Sequence, residues 1–206
     1  EACLQDNRRF ECCLFPHGVF SISSQLLLPR MLKRRNVTVY HSPNYMITLA
    51  AFRRHSRGRT RCVVTIHDVI PLLFRDHAPR SRKSRLFLLY EWLMKEVGKR
   101  ADAIITVSKA AGRDVVSKLD IRPSESNKVQ AIHNGVSEIF HPAEEPPSVD
   151  PQRTRSILYV GRADPYKNLE KLVQAFSQVN EKCPFPVRLV IAGSRDPRYP
   201  EAERLA

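Results

Sequence analysis

The chain has 206 residues, 42% of them hydrophobic and 27% charged, with 34 Lys and Arg against 21 Asp and Glu for a formal net charge of +13. That balance is ordinary for a globular protein and excludes the disordered class, and no run approaches the ~20 apolar residues that a membrane-spanning helix needs. Five unevenly spaced cysteines without a CxxC pair give neither a zinc pattern nor a disulfide framework, so a reducing compartment is expected.

The chain opens on "EACLQDNRRFECC", which has no basic n-region, no long apolar h-region and no starting Met. It is read as lacking a secretory signal and as beginning inside a longer protein. "PHGVFSISS" (Pro16–Ser24) holds a lone Gly18, and the apolar run Leu26-Leu27-Leu28 is cut short by proline and charge. "VTVYHS" (Val37–Ser42) reads as a short strand. "CVVTIHD" (Cys62–Asp68) is a β-branched apolar run of the kind buried in a parallel sheet. Two basic runs flank it, "RRHSRGRTR" (Arg53–Arg61) and "RDHAPRSRKSR" (Arg75–Arg85). Such runs serve an anionic membrane, a phosphorylated substrate or nucleic acid, or form a solvated arginine-rich face. No aromatic residues interleave them and no nucleic-acid-binding motif is present, so nucleic acid is not expected as a partner.

"RKSRLFLLYEWLMKEVGKR" places Leu86, Leu89, Tyr90, Leu93 and Val97 at helical spacing, predicting a long amphipathic helix. "ADAIITVS" (Ala101–Ser108) is a second buried strand, and Ser108 is placed to cap a helix over Lys109–Leu119. "KVQAIHNG" (Lys128–Gly135) predicts a strand closing in an Asn-Gly turn. The proline- and charge-rich stretch that follows has no apolar period and reads as a linker. Beyond it come a strand at Ser156–Val160, a helix at Leu169–Lys182 with Leu169, Leu172, Val173, Phe176 and Val179 on one stripe, and a strand at Val187–Ala192. This alternation predicts an α/β fold with parallel sheets in two domains: residues 1–140, a linker at 141–155, and a second domain from 156 to 206. Two complete doubly wound domains need on the order of 300 residues, so both are expected to be incomplete here.

The stretch "LYVGRADPYKNLEKLV" puts Gly161, Arg162, Lys167 and Asn168 at the carboxyl end of a strand and the mouth of a helix. Free N–H groups and the positive end of the helix dipole make such a place an anion site suited to phosphate, and Arg162 and Lys167 add two cations. Gly161 lets the backbone approach closely. Neither a Walker loop nor G-x-G-x-x-G is present. His67, at the end of a buried strand beside Asp68, is a second polar candidate, with Asp68 able to fix its tautomer.

"YVGRADPYKNLEKLVQAF" with "VRLVIAGS" resembles the second-domain opening of the GT-B glycosyltransferases called group 1, or family 4. "TIHDVIPLLF" (Thr65–Phe74) resembles their H-D-x-x-P segment, and "ADAIITVSKAAGRDVV…KVQAIHNGVSEIFHP" resembles the segment that ends their first domain. The resemblance covers residues 37–195 and implies two Rossmann-like parallel-sheet domains of GT-B type. It implies that Gly161, Arg162, Lys167 and Asn168 hold the diphosphate of a nucleotide-sugar donor. His67 with Asp68 would lie beside the reacting sugar, with Ser108 and Gly135 as secondary contacts. No Asp-x-Asp metal pair occurs, so a metal-independent, retaining transfer of hexose from GDP-mannose or a UDP-sugar to a glycan or lipid-linked acceptor is expected. The cationic runs Arg53–Arg61 and Arg75–Arg85 would then meet an anionic bilayer at the inner membrane face of the cytoplasm. No position corresponds to the family's E-x(7)-E pair, nor to the glycine-rich loop that opens its first domain. The 206 residues alone are therefore expected to be inactive. The competing reading is a basic α/β module that binds a phosphorylated ligand or anionic lipid without catalysis.

Overall fold

A computed structural model describes residues 9–18, 21–54, 58–74, 86–142, 154–194 and 196–205. The basic run 75–85, residues 55–57 of the other run and most of the expected linker (143–153) lie outside the described residues. In chain order the elements are α1 (Ile22–Arg34), β1 (Val39–Ser42), β2 (Arg61–Ile66), α2 (Ile70–Leu73), α3 (Phe87–Arg100), β3 (Ala103–Thr106), α4 (Lys109–Lys118), β4 (Val129–Ala131), β5 (Arg155–Val160), α5 (Leu169–Lys182), β6 (Val187–Ala192) and α6 (Glu201–Leu205). Short 3-10 segments stand at Leu49–Ala51, Pro123–Lys128 and Pro165–Lys167. The fold is α/β, as the alternation predicts.

The strands form two sheets, one in the order β1-β2-β3-β4 and one of β5 and β6, parallel throughout. Two compact units share the chain: Glu1–Asp68 with Trp92–His133, and Val69–Glu91 with Asn134–Ala206. In the first, β2 alternates so that Cys62, Val64 and Ile66 point inward, and Ile104 and Thr106 of β3 do the same. Met94 and Val97 of α3 and Val115 of α4 are fully buried. Each aliphatic side chain so buried contributes roughly 1.5–3 kcal/mol. Burial, and then the charge of Asp102, push the Cys62 thiol up to about 12. The Asp102 carboxylate accepts from the Cys62 N–H (2.8 Å) and from Arg61 Nη1 (3.1 Å), tying the start of β2 to the turn before β3.

Three local features differ from the sequence expectation. The run around Leu26-Leu27-Leu28 is helical despite Pro29: Ser21 caps α1 by accepting from the Ser24 N–H, and Ser24, Leu28 and Leu32 form one buried face. On α3 the buried residues are Met94, Glu96, Val97 and Gly98, so of the predicted stripe only Val97 is buried, while Leu86 and Leu89 are exposed. Asn134-Gly135 makes no turn; the chain turns later, where Phe140 N–H donates to the Ser137 carbonyl at 2.9 Å.

The buried acid of α3 is ion-paired. Nε and Nη2 of Arg54 fork onto Glu96 (both 2.7 Å), and Arg100 and Lys99 complete a cationic ring around it. Burial would raise its carboxyl, but hydrogen bonds from Arg100 and Arg54 win and hold it at about 2.

The second unit is thinner. Along β5 and β6, Leu158, Val160 and Ile191 remain exposed, and α5 buries only Leu169 and Val173 of its predicted stripe.

Candidate functional site

Because all four strands of the first sheet are parallel, β1, β2 and β3 end on one edge, in Ser42-Pro43, His67-Asp68 and Val107-Ser108. Ligands bind at that edge in open α/β sheets. His67 is exposed there, and its Nε2 lies 3.2 Å from the Pro43 carbonyl. Asp68 follows, also exposed. One step back on the neighbouring strands, His41 Nε2 meets Thr65 Oγ1 at 2.9 Å, a pair that no motif announced. Ser108 is the N-cap of α4, as predicted: its Oγ accepts from the Ala111 N–H at 3.1 Å. Gly135, beyond β4, is exposed and has open space where a Cβ would stand.

Three arginines of the first basic run bond within their own unit. Arg54 forks onto Glu96, Arg59 Nη2 donates to Asn36 Oδ1 (2.9 Å) and Arg61 pairs with Asp102.

In the second unit, β5 and β6 run in register from Arg155↔Val187 to Val160↔Ala192, and the Gly161 N–H extends the ladder by donating to the Ala192 carbonyl (2.9 Å). The two main chains then touch. A Cβ at Gly193 would collide with the Gly161 carbonyl, and a Cβ at Gly161 would stand 2.9 Å from Tyr159 Oη. Neither glycine has a positive φ, so space rather than torsion calls for glycine at both. The Tyr159 hydroxyl folds over Gly161 and donates to the Arg162 carbonyl at 2.9 Å.

Arg162 is oriented by a partner that sequence reading did not single out. Its Nε and Nη2 lie 3.2 Å from the two oxygens of Asp164, whose side chain is only 2% exposed, whereas the Arg162 side chain is 60% exposed. The fork occupies two of the five guanidinium N–H groups, leaving three that Asp164 does not claim. Asp164 also accepts from the Lys167 N–H through its carbonyl (2.8 Å), starting the turn Pro165–Lys167. Asn168 sits in the left-handed region (φ 57°), which Asn tolerates, and its side chain makes no capping bond. The first amides of α5 therefore carry no side-chain cap from it. Arg162, Lys167 and the α5 N-terminus share one short loop.

The loop after β6 adds charge. Hydrogen bonds from Arg198, with a contribution from the Arg162 charge, hold Asp196 at about 2. Asp164, Asp196 and Arg198 are site neighbours that the sequence reading missed; the signals available were the nearby acid of "GRAD" for Asp164 and the acid-base alternation of "RDPR", two residues beyond an apolar strand, for Asp196 and Arg198. Among the described residues no three His, Cys, Asp or Glu gather as a metal-binding group, and no helix is long and apolar enough to cross a membrane.

Comparison with known proteins brings these two edges under one heading. Residues 3–138 match the family model described as Glycosyltransferase Family 4, and residues 141–206 match that described as Glycosyl transferases group 1. Two curated relatives from Escherichia coli, each named serotype-specific mannosyltransferase WbdA, are 31% identical over 144 residues. That is 66% of this chain and 16% of either relative, so the chain spans about a sixth of their length.

Proposed function

The chain belongs to the family 4, group 1 glycosyltransferases, and from that membership we propose that the protein carrying it transfers a hexose from a nucleoside-diphosphate sugar to a glycan or lipid-linked acceptor. Mannose is the leading donor sugar, supported by the name of the E. coli relatives, serotype-specific mannosyltransferase, and in this proposal GDP-mannose is preferred to a UDP-sugar. Departure of a nucleoside diphosphate builds negative charge on its phosphate oxygens. Cations and helix-terminal N–H groups already in place stabilise that charge more in the transition state than in the ground state.

The observation that supports this reading best is the loop Gly161–Asn168, where Arg162 is held from behind by Asp164 and remains outwardly exposed beside Lys167 and α5. In this proposal Gly161, Arg162, Lys167 and Asn168 receive the diphosphate without a metal. His67 with Asp68 contacts the sugar, and Ser108 and Gly135 are secondary contacts. Transfer retains the anomeric configuration, following the family. The 206 residues alone are taken as inactive, and the intact protein as a cytoplasmic enzyme peripheral to the inner membrane face. There the basic runs, Arg53–Arg61 and Arg75–Arg85, meet anionic lipid.

The test is calorimetric titration of the chain with GDP and UDP, and sugar transfer in the intact protein. Arg162→Ala with Lys167→Ala should weaken diphosphate binding roughly a thousandfold, each charge-assisted contact counting for about 1.5–3 kcal/mol. Unchanged binding and transfer would remove the proposed diphosphate site. Binding without transfer in the intact protein would instead favour a non-catalytic module.

A further inference from the structure

Beyond the main-chain ladder, β1 and β2 stay joined by side chains on one face. The last ladder pair is Ser42↔Val64. His41 bonds Thr65, and two residues further along each strand His67 bonds Pro43. The Pro43 partner is a carbonyl oxygen, which can only accept. The ring nitrogen facing it, Nε2, must therefore be the one that carries hydrogen.

The loop that carries this carbonyl is itself held. Ser42, buried, donates its hydroxyl to the Met46 carbonyl (2.9 Å), and the Met46 N–H donates to Asn44 Oδ1 (3.0 Å), so residues 42–46 form a loop closed from both ends. Pro43 adds a ring-fixed φ within it. We infer that this loop is a positioning device that fixes the tautomer of neutral His67, with the proton on Nε2 and Nδ1 left as the ring's hydrogen-bond acceptor. Asn44 is the positioning residue that makes the loop adjustable by mutation, because it is exposed.

If His67 contacts the donor sugar, as the proposed function holds, Nδ1 accepts from a sugar hydroxyl, and the neutral ring does not donate at that point. This last step rests on the proposed function; the tautomer does not.

The test uses the ¹⁵N-histidine-labelled chain and long-range ¹H–¹⁵N correlation of the imidazole rings, at a pH where they are neutral. His133 is the internal reference, an exposed ring that makes no side-chain hydrogen bond among the described residues. The ratio of Nε2–H to Nδ1–H tautomer at His67 should exceed that at His133 by about five- to tenfold, the worth of one ordinary hydrogen bond. Asn44→Ala should bring the two ratios within about twofold of each other, and Asn44→Asp, which keeps an acceptor for the Met46 N–H, should preserve the excess. A His67 ratio equal to that of His133, or an excess of Nδ1–H, overturns the assignment. An unchanged ratio in Asn44→Ala overturns the role of the loop.

Sugar transfer by the intact protein separates this from the functional reading. His67→Asn, whose amide stands near the Nδ1 position, should retain more activity than His67→Gln. If neither variant affects transfer while the tautomer excess is present, His67 is not a sugar contact and the tautomer assignment still stands.

Discussion

The two sheets solve opposite problems with the same strand chemistry. In the first, Val64 and Ile104 are fully buried, as is Val115 of the helix packed on the sheet, and polar groups at the carboxyl edge are already engaged: Ser108 in a helix cap and His67 on a main-chain carbonyl. In the second, apolar residues such as Leu158 and Val160 remain exposed, and the shape of the loop edge comes from main-chain contact between Gly161 and Gly193 and from one buried carboxylate, Asp164. The lesson is that packing specifies the first edge, whereas steric crossing and charge specify the second.

Core truncation should separate the two most widely. Ile104→Ala removes a fully buried side chain and should destabilise the first unit by about 2–5 kcal/mol in chemical denaturation, whereas Leu158→Ala, at an exposed position, should cost less than about 1 kcal/mol. Equal losses would erase the contrast.

Acid should act on the buried core of the first unit through Glu96. Glu96 has a folded-state value near 2, below the ordinary 4.5, so its contribution is present above about 4.5 and is lost as pH falls towards 2. Denaturant midpoints should decline across that window, and Glu96→Gln should flatten the decline while lowering stability at neutral pH. A variant with the same acid slope would show that other carboxylates govern it.

Gly193→Ala probes the crossing. Forcing a methyl against the Gly161 carbonyl should cost about 1–3 kcal/mol and weaken GDP binding to the chain, although the position lies beside an exposed sheet. Unaltered stability and binding would mean that the second edge tolerates displacement. The smallest effect belongs to Ser108→Ala, about 1 kcal/mol from loss of the α4 cap, read as a shift in thermal midpoint. A loss of transfer in the intact protein far beyond that stability change would give Ser108 a ligand contact as well.

Most of the strand framework is legible in the residues. The β-branched runs give β2, β3, β5 and β6 to within one or two residues: β2 and β3 because strands buried in a parallel sheet are written as continuous apolar segments, β5 and β6 because they keep the same apolar composition although they are largely exposed. α1 was hidden because Pro29 reads as a breaker, while the capping Ser21 and the spaced Ser24, Leu28 and Leu32 are weak local signals. The inward face of α3 differs from the apolar stripe because Glu96 is buried through ion pairs, one from Arg54 far away in sequence and others from Lys99 and Arg100 on the same helix, which apolar periodicity does not register. At the candidate site the loop Gly161–Asn168 stands out by composition. Its support does not: the Tyr159 hydroxyl, the Asp164 carboxylate and the Gly161–Gly193 crossing are relations between residues, visible only once the strands are paired.

Cys62 turns the packing of the first sheet into something that can be timed. Its thiol is shut away in β2 and held un-ionised at neutral pH, while Cys12 and Cys13 are exposed. A maleimide reagent should label the N-terminal pair at once, giving a place to attach a dye. With the half-buried Cys183 replaced by Ser, Cys62 should react only as often as its strand opens, so the slow phase of labelling reports opening of the first core.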